Sequence, residues 1–468
     1  MVQDDGGAGW QSRGVGVHLS FVGSIGAKMP FIVLATVERL TMKGKNMYEA
    51  IIDQLAESYK QENDLVGNDF GALEEAVLRE MRVLGQGLLQ RLVDSHSNGY
   101  QGSSLCCSCG ASMRFVQHRG RDIHSCFGWI RIKRAYYHCS GCSQSLSPYD
   151  ESSGLGVEQL SPGLAQACCL LAVDDSFESV SRKIMHFFGQ SVSDDTVKSV
   201  VHHVGSLVVR NQQQVLDEYL CDKEIPEAQF TPKRLYITAD GTTVCEADGW
   251  HEAKVGCIYW ADKYLKRCAR HVSSFENSER FGWDLWLEAC RCGLRQAEEL
   301  VYLGDGAGWI RTEHRRHFGR ATFIIDWYHA CEHIWDCAKA LLGEGTAAAK
   351  QWAQGYLDLL WQGCTKQLLD GLRLECKAHR GRKRSALEEL ISYVSTNEEQ
   401  MRYDVFRAAG YDIGSGAVEA DCKNVVGKRL KQSGMRWSRA GSSSTLALRT
   451  TWLNRCWKQL WSQKPLAA

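Results

Sequence analysis

A chain of 468 residues is longer than one hydrophobic core usually serves, so the sequence predicts two to four domains. Its 55 basic and 55 acidic residues balance, so a nucleic-acid surface must come from local clusters of Lys and Arg. No apolar run approaches the roughly 20 residues of a membrane span, and 20 cysteines in so long a chain favour a reducing compartment over a disulfide framework. We therefore expect a cytoplasmic protein without a membrane partner.

The first part of the chain predicts little ordered structure before a helical segment. Residues 1–46 are rich in Gly near their start, and we expect them to be disordered or poorly ordered, with Met29 as an alternative start. Across residues 47–98, apolar residues such as Leu73, Val77, Met81 and Leu84 recur at spacings of three and four, which predicts a helical lead-in.

Two pairs of cysteines lie in residues 99–150, where the sequence is rich in β-forming residues. The pairs are Cys106 with Cys109 and Cys139 with Cys142, and four thiolates at this spacing suit a tetrahedral Zn²⁺ ion in a zinc ribbon. Cys107 competes with Cys106 as the first ligand, and unligated core thiols are the alternative. Such a module could present a surface to DNA or act as a structural clip between helices.

Residues 151–230 have the rhythm of a helix, a turn at Gly189, and a second helix that Ser193 would cap. This outline is typical of a helix-turn-helix that binds DNA. The second helix is poor in basic residues, however, so a plain packed pair of helices is an equally good interpretation.

Carboxylates follow two predicted strands in residues 231–339. Asp240 ends the strand that begins at Leu235, and Asp305 ends the strand that begins at Leu300. A carboxylate beside Gly at a strand end is accessible to a phosphate, and two such groups can share a metal. Hard oxygen ligands select Mg²⁺ or Mn²⁺. A turn residue or a helix cap is the more frequent role of a single Asp.

Residues 340–410 predict a helical segment, and residues 411–468 contain a third carboxylate and a basic strip. Glu419 opens a helix after a Gly-rich turn, where it could complete a two-metal site. The strip follows it with no acid between Lys423 and Arg439, as a track for DNA phosphates would require. Its members are Lys423, Lys428, Arg429, Lys431, Arg436 and Arg439. Trp437 could stack on an unpaired base, although packing in the core is the default for a Trp.

Other acidic residues nearby have simpler explanations. Asp326 precedes a predicted helix that contains His329, and capping of that helix explains it without catalysis. Glu246 and Asp248 fit a hairpin that turns at Ala247, Asp248 and Gly249.

Taken together, these motifs resemble the ISKra group of insertion-sequence transposases. The motifs are Thr238-Ala-Asp-Gly-Thr242, Leu303-Gly-Asp-Gly-Ala-Gly-Trp309, Ile325-Asp-Trp-Tyr-His329, Gly414-Ser-Gly-Ala-Val-Glu419 and Gly434-Met-Arg-Trp-Ser438. The resemblance implies an α/β, RNase H-like catalytic domain formed by residues 231–339 and 411–468, with residues 340–410 as a helical insertion. It further implies that Asp240, Asp305 and Glu419 form the DDE triad.

The resulting hypothesis is a DDE transposase that binds the ends of an insertion sequence, hydrolyses phosphodiesters and transfers 3′-hydroxyl ends to target DNA. Its partners would be transposon ends and target DNA in the nucleoid, and the reaction class predicts a homo-oligomer on DNA. A catalytically inactive DNA-binding derivative and an RNase H-like nuclease without strand transfer are the alternatives.

Overall fold

The computed structural model describes residues 49, 52–53, 56–57, 69–156, 159–414 and 422–462. Contacts divide the chain after Glu80, and the sites discussed below all follow that position. The protein is of the mixed α/β class, with two separate sheets among many helices. Within these ranges, no helix has the length and apolar character needed to cross a membrane.

The first sheet has four antiparallel strands in chain order and follows a long helix, α1 (Phe70–Ser95). Its strands are β1 (Ser104–Cys106), β2 (Ser112–Ser125), β3 (Gly128–Cys139) and β4 (Ser145–Leu146). Most of it is the β2–β3 hairpin, in which Ser125 pairs with Gly128 across a two-residue loop. The side chain of Gln90 in α1 bonds to the backbone of Arg131 in β3, which fixes this end of the helix on the hairpin.

Four helices follow the first sheet: α2 (Pro148–Ser153), α3 (Pro162–Ala172), α4 (Phe177–Phe188) and α5 (Asp194–Asp222). The predicted capping by Ser193 is confirmed, because its hydroxyl accepts a hydrogen bond from the Thr196 N–H at 3.1 Å. Gly189 ends α4 in the left-handed conformation with φ of 65°, as a turn before α5 requires. Helix α5 is 29 residues long, because its apolar face packs along a C-terminal helix described below.

The second sheet contains five strands: β5 (Arg234–Glu246), β6 (Gly249–Ala261), β7 (Arg267–Ser274), β8 (Glu299–Gly304) and β9 (Thr322–Ile325). Their spatial order is β7-β6-β5-β8-β9. The first three form an antiparallel meander, whereas β8 and β9 run parallel to β5. Helix α6 (Ser278–Arg291) leads to β8, and α7 (Gly308–His317) leads to β9, so both parallel connections are helical crossovers.

The prediction of a helical segment after the second sheet is confirmed. It contains α8 (Trp327–Leu342), α9 (Ala347–Trp361), α10 (Thr365–Ala378), α11 (Arg382–Asn397), a 3₁₀ turn (Glu398–Met401) and α12 (Tyr403–Ala408). Apolar residues of these helices share one core with β8 and β9, including Leu303, Ile325 and Tyr403. The Tyr403 hydroxyl donates a hydrogen bond of 3.0 Å to the carbonyl oxygen of Ile325, so the helices are fixed to the end of the sheet.

The C-terminal part of the chain packs on both the sheet and the earlier helices. It contains a π-helical turn (Cys422–Gly427), α13 (Lys428–Leu430), α14 (Arg439–Leu453) and α15 (Trp457–Ser462). Ala447, Leu448 and Trp457 belong to the same core cluster as residues of α3, α4 and α5. The helical region before residue 230 and the C-terminal helices therefore share one core.

Arg449 joins three segments from a buried position in α14. Its side chain is 2% exposed, and its guanidinium donates to the carbonyl oxygens of Asn424, Val425 and Val173 and contacts Asp174 at 2.6 Å. Removal of the guanidinium would take this donor from the three carbonyl oxygens and leave Asp174 with Lys428, and the loss of hydrogen bonds in a buried position destabilises the fold.

We expect Arg449→Met to lower the free energy of unfolding by about 3 kcal/mol, the lower end of the cost of breaking a buried ion pair, because Asp174 is half-exposed. Urea denaturation measures this change. As a control, Arg373→Met removes an exposed ion pair within α10 and should cost less than about 0.5 kcal/mol. Equal losses in the two variants would contradict the role given to Arg449.

Candidate active site

Asp240 and Asp305 lie at the same level of two neighbouring parallel strands, Asp240 within β5 and Asp305 directly after the end of β8. Thr238 of β5 pairs with Leu303 of β8, and each carboxylate follows its paired residue by two positions. Side chains two residues apart on a strand share a face, and adjacent strands lie about 4.8 Å apart. The fold therefore brings these two carboxylates together from positions 65 residues apart, 305 minus 240.

The prediction that Asp240 ends its strand is wrong in one respect. Strand β5 continues to Glu246, and Asp240 pairs with Val255 of the antiparallel neighbour β6. Only the pairing with β8 stops before it, the last pair being Thr238 with Leu303. Asp240 therefore has an open side where β8 leaves the sheet, which explains how a mid-strand carboxylate stays partly exposed.

The surroundings of Asp240 hold its carboxylate from two sides. One oxygen accepts the backbone N–H of Gly241 at 2.6 Å, and the other accepts the thiol of Cys422 at 3.2 Å. Burial raises the pKa of Asp240, and the negative charge of Asp305 raises it further. Two neighbouring carboxylates repel each other unless a proton or a cation lies between them.

Asp305 is held by the loop that leads into α7. Its side chain accepts the backbone N–H of Ala307 at 2.7 Å, and Gly306 between them has a φ of 84°, which favours glycine. The hydroxyl of Tyr393 in α11 lies 3.5 Å from the Asp305 carbonyl oxygen. The guanidinium of Arg311 bonds to the carbonyl oxygen of Gly306 at 2.8 Å and to the side chain of Asn397. The helical segment thus supports the loop that carries this carboxylate.

Glu419 lies outside the residues that the structure describes. Before Glu419 in the sequence, Ile413 lies close to the end of β9: its carbonyl oxygen accepts the N–H of Trp327, which follows β9, at 2.9 Å. On the other side of Glu419 in the sequence, Cys422 contacts Asp240.

Asp326 and His329 form a pair beside the two carboxylates. The prediction that Asp326 caps α8 is confirmed, since its side chain accepts the His329 N–H at 3.0 Å. The His329 ring nitrogen Nδ1 lies 3.4 Å from the same oxygen. Asp326, and more weakly Asp305, raise the pKa of His329 to about 9. His329 is therefore a cation at neutral pH, next to the acidic site.

We expect the pKa of His329 to fall from about 9 toward its ordinary value of 6.5 in Asp326→Asn, because Asn can still cap the helix but carries no charge. The folded-state pKa is the higher one, so the ion pair stabilises the fold fully below pH 6.5 and loses this effect as pH rises through 9. An NMR titration without added divalent metal measures the shift. Glu332→Gln, which removes a weaker contributor, should change it less; an equal fall in both variants would contradict this account.

A cluster of four cysteines lies at one end of the first sheet, where the β1–β2 and β3–β4 turns meet. Its members are Cys107, Cys109, Cys139 and Cys142. The structure therefore brings Cys107 into the position for which the sequence predicted Cys106. Successive side chains of a strand point to opposite faces, so Cys106, at the end of β1, is exposed while Cys107 is buried.

The geometry of the cluster fits a tetrahedral metal ion. The Sγ atoms of Cys107 and Cys142 are 3.4 Å apart, and those of Cys109 and Cys139 are 3.7 Å apart. A four-thiolate Zn²⁺ site with bonds of about 2.3 Å places its sulfurs about 3.8 Å apart. The backbone N–H of Cys109 lowers the pKa of Cys107, which favours the thiolate form that binds metals.

The basic strip is divided between surface and core. Lys423, Lys428, Lys431, Arg436 and Arg439 are exposed. Lys431 donates to the hydroxyl of Thr242 at 2.7 Å, and Thr242 lies two residues after Asp240 on the same face of β5. Through Lys431, the exposed part of the strip therefore lies next to the acidic site.

Arg429 and Trp437, which the sequence assigned to a DNA surface, are buried. Arg429 is 1% exposed and donates to the Ala172 carbonyl oxygen at 2.7 Å, with its guanidinium 4.8 Å from the Trp437 ring centre. The indole N–H of Trp437 donates to the Leu430 carbonyl oxygen at 3.1 Å. The contact with α3 buries Arg429, and packing against Phe177 and the β5–β6 hairpin buries Trp437.

Glu246, Asp248 and His251 form a second group of potential metal ligands. The predicted hairpin is confirmed, because Glu246 pairs with Gly249 across Ala247 and Asp248. Glu246 is buried, but Ser442 donates to it at 2.6 Å and Arg439 lies 3.2 Å from it. These partners give the carboxylate a structural role, the attachment of α14 to the hairpin. Asp240 and Asp305 belong to neither group of three or more ligands found among the described residues.

The molecule is thus a mixed α/β protein with two neighbouring carboxylates where the central parallel strands of its larger sheet separate, and a four-cysteine cluster in its smaller sheet. A model of the uncharacterised protein family UPF0236 matches residues 111–458, and the chain belongs to that family. A comparison with curated proteins gave no significant match. The matched region includes both carboxylates and two of the four clustered cysteines, Cys139 and Cys142, and it begins after Cys107 and Cys109.

Proposed function

We propose that this protein is a DDE transposase with an RNase H-like catalytic domain, in which Asp240, Asp305 and Glu419 bind two Mg²⁺ or Mn²⁺ ions. The ISKra resemblance suggests the insertion-sequence group. The observation that carries the proposal is the position of Asp240 and Asp305, each two residues beyond the last pair of two adjacent parallel strands, with Cys422 in contact with Asp240. Cys422 follows Glu419 by three residues, which supports a position for this carboxylate near the pair.

The topology of the larger sheet supports the same fold. An antiparallel meander followed by two parallel strands on the far side of the first strand is the arrangement that an RNase H-like domain requires. Helices α8 to α12 come between the last strand and residue 419, where the proposed fold carries a helical insertion. Tyr393 contacts the Asp305 carbonyl oxygen from the insertion, and Arg311 joins the Gly306 carbonyl oxygen of this loop to Asn397 of the insertion. These contacts give the insertion a role in fixing the carboxylate.

The electrostatics of the site suit divalent cations. Burial and the charge of Asp305 raise the pKa of Asp240, so a cation between the two carboxylates would relieve their repulsion. Bound ions would activate a water or a 3′-hydroxyl and stabilise the leaving oxygen of a phosphodiester. Within the chain, Gly241, Ala307 and Cys422 orient the carboxylate oxygens, and the cationic His329 stands beside them to attract a phosphate.

DNA would approach along the exposed part of the basic strip. Lys431 anchors this strip next to Asp240 through Thr242, and Lys423 and Lys428 flank it on the surface. Lys428 lies 3.5 Å from Asp174 and Arg439 lies 3.2 Å from Glu246, whereas Lys423, Lys431 and Arg436 have no carboxylate partner among the described residues. Exposed lysines and arginines bind backbone phosphates regardless of sequence. Zn²⁺ bound by Cys107, Cys109, Cys139 and Cys142 would stabilise the ribbon, and a homo-oligomer would hold two DNA ends.

A strand-transfer assay tests the proposal. Labelled duplexes carrying the DNA that flanks this gene are incubated with a supercoiled target and Mg²⁺, and both cleaved and joined products are measured. We expect joining by the wild-type protein and none by Glu419→Gln. Cleavage without joining would favour a nuclease instead, and DNA binding without either product would favour an inactive derivative.

A further inference from the structure

An open pocket with a volume of about 350 Å³ lies on the side of the molecule where α4 and α14 begin. Its lining includes Ser176, Phe177, Lys198, Arg429, Arg436 and Ser438. These residues come from the helical region before residue 230 and from the C-terminal segment, which share a core. None of the residues that line it, within the part of the chain that the structure describes, is an Asp or a Glu.

Two helix N-termini meet at this pocket. Ser176 caps the 12-residue α4, and Ser438 caps the 15-residue α14, each through a hydrogen bond to the third residue beyond it. The earlier N–H groups of each first turn have no partner within their helix. Each N-terminus also carries the equivalent of about half a positive charge, so both favour an anion at the same place.

Arg429 provides a second, independent sign of a ligand. Only 1% of its surface is exposed, yet it lines the pocket. Its Nε donates to the Ala172 carbonyl oxygen at 2.7 Å and its Nη1 contacts the Met435 sulfur at 3.5 Å, but its Nη2 has no partner among the described residues. Burial lowers the pKa of Arg429 to about 10, so the guanidinium keeps its charge at neutral pH. A buried cation with an unused donor normally has an anionic partner.

Two further cations face the pocket from the surface. Lys198 of α5 and Arg436 are both exposed. The Arg436 guanidinium donates to the Ala247 carbonyl oxygen at 2.6 Å, which fixes it at the rim, whereas the flexible Lys198 side chain can move to meet a bound group. The ring of Phe177 lies 5.1 Å from the Arg429 guanidinium and forms an apolar wall beside it. The pocket therefore combines two fixed cations, one mobile cation and N–H groups at two helix starts, which is a combination suited to a phosphate group.

We propose that this pocket, between the starts of α4 and α14, is a phosphate-binding site that binds DNA and is separate from the metal-binding carboxylates. That DNA is the source of the phosphate rests on the proposed function, since a free phosphate or a nucleotide has the same chemistry. In this account, the helix starts and Arg429 bind a backbone phosphate, Arg436 adds a fixed positive charge at the rim, and Lys198 moves to contact the phosphate from the surface.

Charge reversal at Lys198 tests the site, because this exposed side chain is not needed for folding. Binding of a fluorescent duplex to the full-length protein is measured by anisotropy at several salt concentrations, without added Mg²⁺. We expect Lys198→Glu to weaken binding about 10-fold and to reduce the salt slope by about one. Arg182→Glu, an exposed residue of α4 that does not line the pocket, should weaken binding less than 2-fold.

A second measurement separates the sources of the phosphate. Inorganic phosphate should raise the thermal unfolding midpoint of the wild type and of Arg182→Glu, but not that of Lys198→Glu. A response in both measurements supports a phosphate site that DNA uses, whereas a response to inorganic phosphate alone assigns it to a free phosphate or nucleotide. If Lys198→Glu behaves like Arg182→Glu in both, the site does not exist. Neither measurement depends on strand transfer, so failure of the phosphate site can be distinguished from failure of the proposed catalysis.

Discussion

Asp240→Asn and Asp305→Asn should each reduce the rate of strand transfer on the order of 10³-fold or more. Replacement of one oxygen by an amide nitrogen keeps the size of the side chain but removes the charge that holds a divalent cation. The metal ions of such sites supply several kcal/mol of transition-state stabilisation, and each 1.4 kcal/mol corresponds to about a tenfold change in rate. Initial rates of joining at saturating Mg²⁺ measure the loss.

The effect should be specific to the chemistry rather than to folding or DNA binding. Asp370→Asn, which removes an exposed carboxylate of α10, is the matched control and should join DNA at the wild-type rate. Because loss of a negative charge beside the DNA lowers repulsion, the two active-site variants should bind duplex DNA at least as tightly as the wild type. Joining by either variant at a rate close to that of Asp370→Asn would refute the metal-binding role of these carboxylates.

The second large effect concerns the cysteine cluster. We expect the purified protein to contain one Zn²⁺ per chain, and Cys107→Ser or Cys139→Ser to lose it, because one missing thiolate leaves the tetrahedral site open. Metal binding of this kind contributes about 10 kcal/mol or more to the folding of small domains. The β2–β3 hairpin should then become sensitive to proteolysis. Metal analysis by mass spectrometry and limited digestion measure the two consequences.

Cys106→Ser provides a control within the same loop. Cys106 is exposed and stands outside the cluster, so its replacement should change neither the zinc content nor the digestion pattern. Loss of zinc in Cys106→Ser together with retention in Cys107→Ser would reverse the assignment of the first ligand.

Features that depend on a few neighbouring residues could be predicted from the sequence. Ser193 and Asp326 cap helices as expected, since an N-cap needs only a short polar side chain before a helix. The hairpin at Ala247 and Asp248 has the same local origin. Asp240 and Asp305 could be assigned to one site, because each follows a run of apolar residues and a parallel sheet brings the ends of such runs together.

Features that depend on distant partners could not be predicted. The length of β5 follows from its pairing with β6, and a single strand gives no sign of where its neighbour stops. The choice between Cys106 and Cys107 depends on the phase of β1, which is set by its pairing with β2. Arg429 belongs to a basic run, so only its contact with Ala172, 257 residues away, reveals that it is buried.

The core that α5 shares with α14 affects how the chain folds during synthesis. Helices α3, α4 and α5 emerge from the ribosome early, but their apolar cluster also contains Leu448 and Trp457. Until those late residues arrive, the early helices expose apolar surface to solvent and to other chains. Nascent or truncated chains that stop before Arg439 should therefore require a chaperone to stay unaggregated, whereas the full-length chain should not.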